Sequence, residues 1–300
     1  MLKIAYSPVY KYELPEGHRF PMAKYELIPE QLLYEGTVKE QNFFHPSMLQ
    51  PEDGLLTHTR EYWDKLTNVT LSEREIRAIG FPINEKFVVR GRHIAQGTVE
   101  AALFALEHGV AMNVAGGTHH AFAGRGEGFC CFNDQAVASN YLLNKGLARK
   151  ILIVDLDVHQ GNGTAHIFQN ESRVFTFSMH GARNYPLRKE TSDLDVALPD
   201  GMTDEPYLRL LRETLPRLAD NVQPDFIFYL GGVDILETDK LGRLNISRAG
   251  CRERDRIVLD FCRRNRVPVA VSMGGGYSAR LADIVEAHAN TFLVAQELFF

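Results

Sequence analysis

The 300-residue chain has only four cysteines, Cys130, Cys131, Cys251 and Cys262, none in a Cys-x-x-Cys pair. That excludes a disulfide framework and a thiolate-rich structural zinc site, and it places the chain by expectation in the reducing cytoplasm. Positive charge is also short: 33 Lys and Arg against 38 Asp and Glu give a formal net charge of −5. No bulk positive field exists to hold nucleic acid or an anionic membrane, and neither is expected as a partner. No apolar run approaches the roughly 18 residues that cross a bilayer. Met1 to Glu16 alternates polar with apolar residues where a secretory segment would have an apolar core. Repeats, low-complexity tracts and long linkers are missing too. With 45% hydrophobic and 24% charged residues, a single globular domain over 1–300 is the simplest organisation.

What is present is alternation. Leu2 to Tyr6 reads as an edge strand, and residues 10–92, rich in aromatics and prolines, read as loops and short helices. From Gly91 onward, helical patterning at 93–108, 133–145, 205–219, 247–264 and 278–297 is interleaved with apolar runs at 110–115, 151–154, 174–177, 226–230 and 267–271. Buried strands separated by helices of this length imply parallel βαβ units covered on both faces. The expected fold is α/β, a three-layer α/β/α sandwich around a mostly parallel sheet of about eight strands, with 1–90 loop-rich and 91–300 the core.

Each buried strand runs directly into polar or glycine residues: Gly116-Gly117-Thr118-His119-His120, Asp155-Leu156-Asp157-Val158-His159, Ser178-Met179-His180, Gly231-Gly232-Val233-Asp234 and Gly274-Gly275-Gly276-Tyr277. In a parallel sheet these ends share one edge, where ligands bind. Asp157 and His159, two residues apart, point the same way on extended backbone, and Asp234 supplies a third ligand. Two carboxylates and an imidazole leave a position open, as in a catalytic Zn²⁺ site; Fe²⁺ suits the same donors. His119 and His120 can move protons, Asp155 can orient one of them, and the Tyr277 hydroxyl can donate to a developing oxyanion. That set suits hydrolysis of an unactivated amide.

Together these segments resemble the zinc-dependent histone deacetylase and acetoin-utilisation family of the arginase/deacetylase fold, most closely its class IV branch. The resemblance rests on GGTHHA (116–121), GFCCFND (128–134), DLDVHQGNGT (155–164), GVDILETDKLGRL (232–244) and GGGY (274–277). It implies Zn²⁺ on Asp157, His159 and Asp234, His120 as general base and acid, His119 as its electrostatic partner, and Tyr277 as the carbonyl-polarising hydroxyl. It sets Asp155 behind His119 and Asn162 behind His120, where class I members carry aspartate. It further implies Gly128 and Phe129 lining an acyl-lysine tunnel, Tyr185 opposite them, residues 1–90 at the tunnel rim, and a structural K⁺ at Asp155, Asp157, His159, Ser178 and Met179. The implied substrate is an acyl-lysine peptide or protein, with acetyl and long fatty chains both open.

Three rivals stay in view. A binuclear Mn²⁺ amidinohydrolase on the same fold needs a second aspartate two residues from Asp234, where this chain has Gly232 and Leu236. A deacylase of a small acylated amine such as acetylpolyamine calls for an acidic gatekeeper, and the aligned position is Leu241. A silent acyl-lysine binder would have lost Tyr277 or a metal ligand, and none is lost. Cys130 and Cys131 read as buried small hydrophobes, the charges at 252–256 as a solvated helix face, and His18 and His180 as neighbours of rim or site loops.

Overall fold

The computed structural model describes residues 1–300. Its strands are β1 (Lys3–Ala5), β2 (Phe43–Phe44), β3 (Val110–Asn113), β4 (Ile151–Asp155), β5 (Val174–Gly181), β6 (Leu194–Leu198), β7 (Phe226–Leu230) and β8 (Val269–Ser272). The helices are α1 (Lys24–Tyr34), α2 (Pro51–Gly54), α3 (Arg60–Thr67), α4 (Glu73–Ile79), α5 (Glu85–His108), α6 (Asp134–Asn144), α7 (Asn162–Phe168), α8 (Asp204–Val222), α9 (Arg248–Asn265) and α10 (Leu281–Phe299). The strands form one eight-stranded sheet in the order β2-β1-β3-β8-β7-β4-β5-β6. Every pairing in it is parallel. On one face α5 packs on β3 and β8 and against α6; α8, α9, α10 and α1 form the other helical layer. No helix is long and apolar enough to cross a membrane.

The central strands are buried on both faces, which is why β4 reads Ile151-Leu152-Ile153-Val154 without alternation. Three expectations change. β1 is not the edge, because the two-residue β2 pairs outside it with Ile4 opposite Phe43. β6, with only Leu198 buried, is a short outer strand whose Leu-Asp-Val-Ala-Leu carries too little apolar signal to stand out from a loop. Helix α5 starts at Glu85, where the Asn84 side chain accepts from the Phe87 N–H, well before the apolar periodicity becomes clear.

The N-terminal third is tied to the loop after β3 and the start of α6 by His58, which is 2% exposed. Its Nδ1 lies 3.1 Å from the Phe122 carbonyl and its Nε2 3.2 Å from the Asn133 N–H. A neutral ring with the proton on Nδ1 satisfies both, and burial pushes its pKa down to about 4. An unfolded histidine takes up its proton near pH 6.5. Between pH 6.5 and 4 the unfolded state therefore binds more protons, and stability falls as pH falls, by about 3 kcal/mol at most from this residue. Urea unfolding between pH 7 and 4 should show His58→Gln with a slope shallower than wild type by close to one proton; an unchanged slope would contradict the assignment.

Candidate active site

The strand ends converge as the register requires. Asp157, His159 and Asp234 are buried, and one donor atom from each lies within 4.8 Å of the others. The His159 Nδ1 stands 3.0 Å from Asp157 Oδ1 and 3.1 Å from Asp234 Oδ2. Backbone donors hold both carboxylates in place: Gly275 N–H on Asp157 Oδ2 at 2.8 Å and Val158 N–H on Asp234 Oδ1 at 3.0 Å. At Gly232 and Gly275 an added Cβ would overlap these carboxylates, so the glycines are there for room. Burial and the charge of Asp157 push Asp234 upward. Although burial alone would lower it, hydrogen bonds to the two carboxylates raise His159 to about 10. Two close buried carboxylates thus demand a cation between them; a proton on His159 meets the demand, and a divalent ion on the same three donors fits it better.

His119 and His120 pack against each other with ring centroids 4.1 Å apart and planes tilted by 48°. Burial acts to lower His119, but the charges of Asp155 and Asp157 outweigh it and raise the ring to about 9; its Nδ1 donates to Asp155 Oδ2 at 2.7 Å. His120 is held well below the ordinary histidine value by burial and then by the charges of His119 and His159. Its tautomer is fixed from outside. The Tyr185 hydroxyl donates to Glu127 Oε1 at 2.8 Å and the Asn162 Nδ2 donates to the same oxygen at 2.7 Å. Asn162 must then present Oδ1 to His120 Nδ1 at 2.7 Å, which puts the ring proton on Nδ1 and leaves Nε2 with a free lone pair. Thr118, just upstream, is fixed by Asp134, which accepts from its N–H and hydroxyl and from Ser272 and Thr98.

A small cavity of about 50 Å³ is lined by Asp157, His159, Asp234, His120 and Tyr277, with Phe20, Tyr25, Arg90 and Ile94 behind them. Outward lies a larger one of about 330 Å³, lined among others by Gly128, Phe129, Tyr185 and Leu241. The Tyr185 ring stands 4.9 Å from His120. Phe129 packs against Phe20 and Phe81 at 5.3 and 5.2 Å. Burial and then Asp234 and Asp157 hold the Tyr277 hydroxyl well above its ordinary value, so it stays a donor, while its N–H is fixed 2.6 Å from Asp239. Ser178 and Met179 lie buried in β5, with Ser178 the register partner of Asp155. His18 stacks on Phe81 and contacts the Gly80 carbonyl, while the buried His180 meets Ser178. Cys130 and Cys131 are buried free thiols.

A family model described as the histone deacetylase domain matches residues 18–292. The chain belongs to the histone deacetylase family. Among its relatives, histone deacetylase 2 of Arabidopsis thaliana is 33% identical over 90% of this chain and 73% of its own length. An acetoin utilization protein of Staphylococcus aureus is 28% identical over 78% and 66%. An uncharacterised protein of a Picosynechococcus strain is 43% identical over 99% of both chains. A crystal structure of an HDAC homolog complexed with SAHA superposes with a TM-score of 0.85 at 24% identity, covering 99% of this chain and 84% of that one.

In this deacetylase several site neighbours lie outside the motifs. Phe20, Phe81 and Lys24 come from the N-terminal third; buried Lys24, lowered to about 8 by burial, donates to the Gly274 carbonyl at 3.0 Å. Glu127 sits between two motifs with no spacing signal. Arg254 was hidden in a run read as a solvated face. Five consecutive helical residues sweep more than a full turn, so while Arg252 and Arg256 pair with Glu297 outside, Arg254 and Asp255 are wholly buried. Arg254 Nη1 donates to the Gly232 and Leu156 carbonyls at 2.5 and 3.3 Å, bracing both ligand-bearing strand ends from α9. Purified deacetylase should hold one divalent ion per chain by elemental analysis, and chelation should lower its melting temperature. Asp234→Asn should lose both the ion and the chelator response; retention of a full equivalent of metal would refute the ligand set.

Proposed function

We propose that the protein hydrolyses the amide of an Nε-acyl-lysine side chain, with acetyl as the preferred acyl group. The observation that carries this is the pairing of a neutral His120, its Nε2 lone pair free, with a protonated Tyr277 hydroxyl on one small cavity beside Asp157, His159 and Asp234. Those three residues would hold Zn²⁺ or Fe²⁺, which supplies Lewis acidity toward a carbonyl and toward water. His120 takes the proton of the attacking water at Nε2 and returns it to the departing lysine amine. The charge on His119, balanced by Asp155, keeps His120 from being protonated prematurely. Tyr277 donates to the oxyanion as the carbonyl carbon becomes tetrahedral. Phe129 and Tyr185 flank the apolar stem of the lysine. The register pairing of Asp155 with Ser178 supports a structural K⁺ shared with Asp157, His159 and Met179, and the four free cysteines support a cytoplasmic setting.

Acyl length follows from the inner space. The inner cavity leaves about 50 Å³ for the centres of water-sized molecules, room for a few waters at about 10–15 Å³ each, and this small space favours a short acyl group such as acetyl over a chain of a dozen methylenes. Steady-state assays with acetyl-, octanoyl- and myristoyl-lysine peptides, with and without chelator, should show chelator-sensitive turnover that falls at least about tenfold from acetyl to myristoyl, since forcing extra methylenes into a packed space costs about 1–3 kcal/mol. Higher kcat/KM for myristoyl would overturn the acetyl preference, and no turnover of any peptide by the metal-replete protein would favour a silent acyl-lysine binder. Tyr277→Phe should lower kcat by about 10²–10³ with little change in KM. An unchanged kcat would remove Tyr277 from the oxyanion role.

A further inference from the structure

We propose that the mouth of the pocket selects an acyl-lysine that has a carboxylate close by. The inference rests on the deacylase reading and deepens it. Of the residues lining the outer cavity, three are arginines, Arg19, Arg183 and Arg243, and none is Asp or Glu. This runs against the chain as a whole, which carries a net charge of −5. The nearby carboxylates are held by other groups and lie outside the lining. Asp200 is shared by Arg183 at 3.5 Å and Arg243 at 3.3 Å, one negative charge for two positive. Glu127 is engaged by Tyr185, Asn162 and Arg125. Asp239 is turned onto the backbone N–H groups of Leu241, Gly242 and Tyr277. The Arg19 guanidinium lies 5.0 Å from the centre of the Phe129 ring, at the wall expected to flank the lysine stem.

A guanidinium has five donors, and one shared carboxylate leaves most of those on Arg183 and Arg243 free. Single exposed ion pairs are weak, but like charges gathered around a cleft add their fields and attract opposite charge before contact. The same field disfavours a protonated polyamine, whose amines would face three guanidinium groups and no carboxylate among the lining residues. The carboxylate has two possible sources with one chemistry: acidic side chains flanking the acyl-lysine in a peptide, or the α-carboxylate of the acyl-lysine itself.

The test uses the metal-loaded protein and three acetyl-lysine peptides that differ only in flanking residues, Asp, Ser or Lys, together with acetyl-lysine bearing a free or an amidated carboxyl group. Turnover and binding by fluorescence anisotropy are measured at low and high salt. At low ionic strength the Asp peptide should exceed the Lys peptide roughly tenfold in kcat/KM and in affinity, the gain lying in KM. The gap should narrow above about 0.15 M salt, where the Debye length is near 8 Å. The double variant Arg183→Gln, Arg243→Gln should bring the three peptides together, and Arg19→Gln should do so in part. A gain for the free over the amidated amino acid assigns the α-carboxylate as a source. Equal values for all three peptides and for both amino-acid forms in the unmodified protein, or a preference that survives the double variant, would overturn the proposal. Failure to turn over any peptide would count against the deacylase reading alone, because the binding arm still decides the charge preference.

Discussion

Two carboxylates, Asp157 and Asp234, buried side by side at the ends of β4 and β7, set the terms for everything around them. Neither sits in water, and the charge of Asp157 raises the cost of ionising Asp234. The fold answers with backbone N–H groups from Val158 and Gly275, with glycines where any side chain would collide, and with His159 between the two. A cation belongs in that space, and the rest of the site is arranged around holding it there and exposing one side of it.

The chemistry on the exposed side depends on a line of hydrogen bonds running outward from the base. His120, Asn162, Glu127 and Tyr185 form one chain whose donor and acceptor roles follow from its carboxylate end. A single acceptor-only group, Glu127, therefore settles which nitrogen of a ring two hydrogen bonds away carries the proton. On the opposite side, Arg254 reaches through α9 to the carbonyls of Leu156 and Gly232, with Asp255, Tyr229 and Thr291 neutralising and satisfying the buried pair. The ligands are thus braced from behind while the base is oriented from in front.

Most of the sheet and the motif residues were legible because their signals are local. A strand buried on both faces reads as an unbroken apolar run, and a ligand at its carboxyl end follows within a few residues. What stayed hidden is what only three-dimensional neighbourhood defines. β2 and β6 lie at the sheet edges, where two half-buried residues in β2 and one buried residue in β6 leave no periodic trace. Phe20 and Phe81 reach the site across a long sequence gap, and nothing in an irregular aromatic stretch says which rings will meet Phe129. Arg254 was masked by its own neighbours, since a run of charges looks uniform until the helix turns one of them inward.

The strand order carries a consequence for how such a protein comes into being. Synthesis first produces β1, β2 and β3, then β4, β5 and β6, yet these trios lie on opposite sides of β8 and β7. Until the last quarter of the chain has emerged there are two half-sheets, each with an open edge, and no continuous layer between them. Open parallel edges invite wrong pairings, so this is the interval in which a nascent chain most needs shielding. The seam that β7 and β8 close is also where Asp234 and Tyr277 meet residues delivered long before. Ligand set and oxyanion donor are therefore completed by the same late event that makes the domain whole, and a chain that stops before β7 lacks the third ligand and the oxyanion donor.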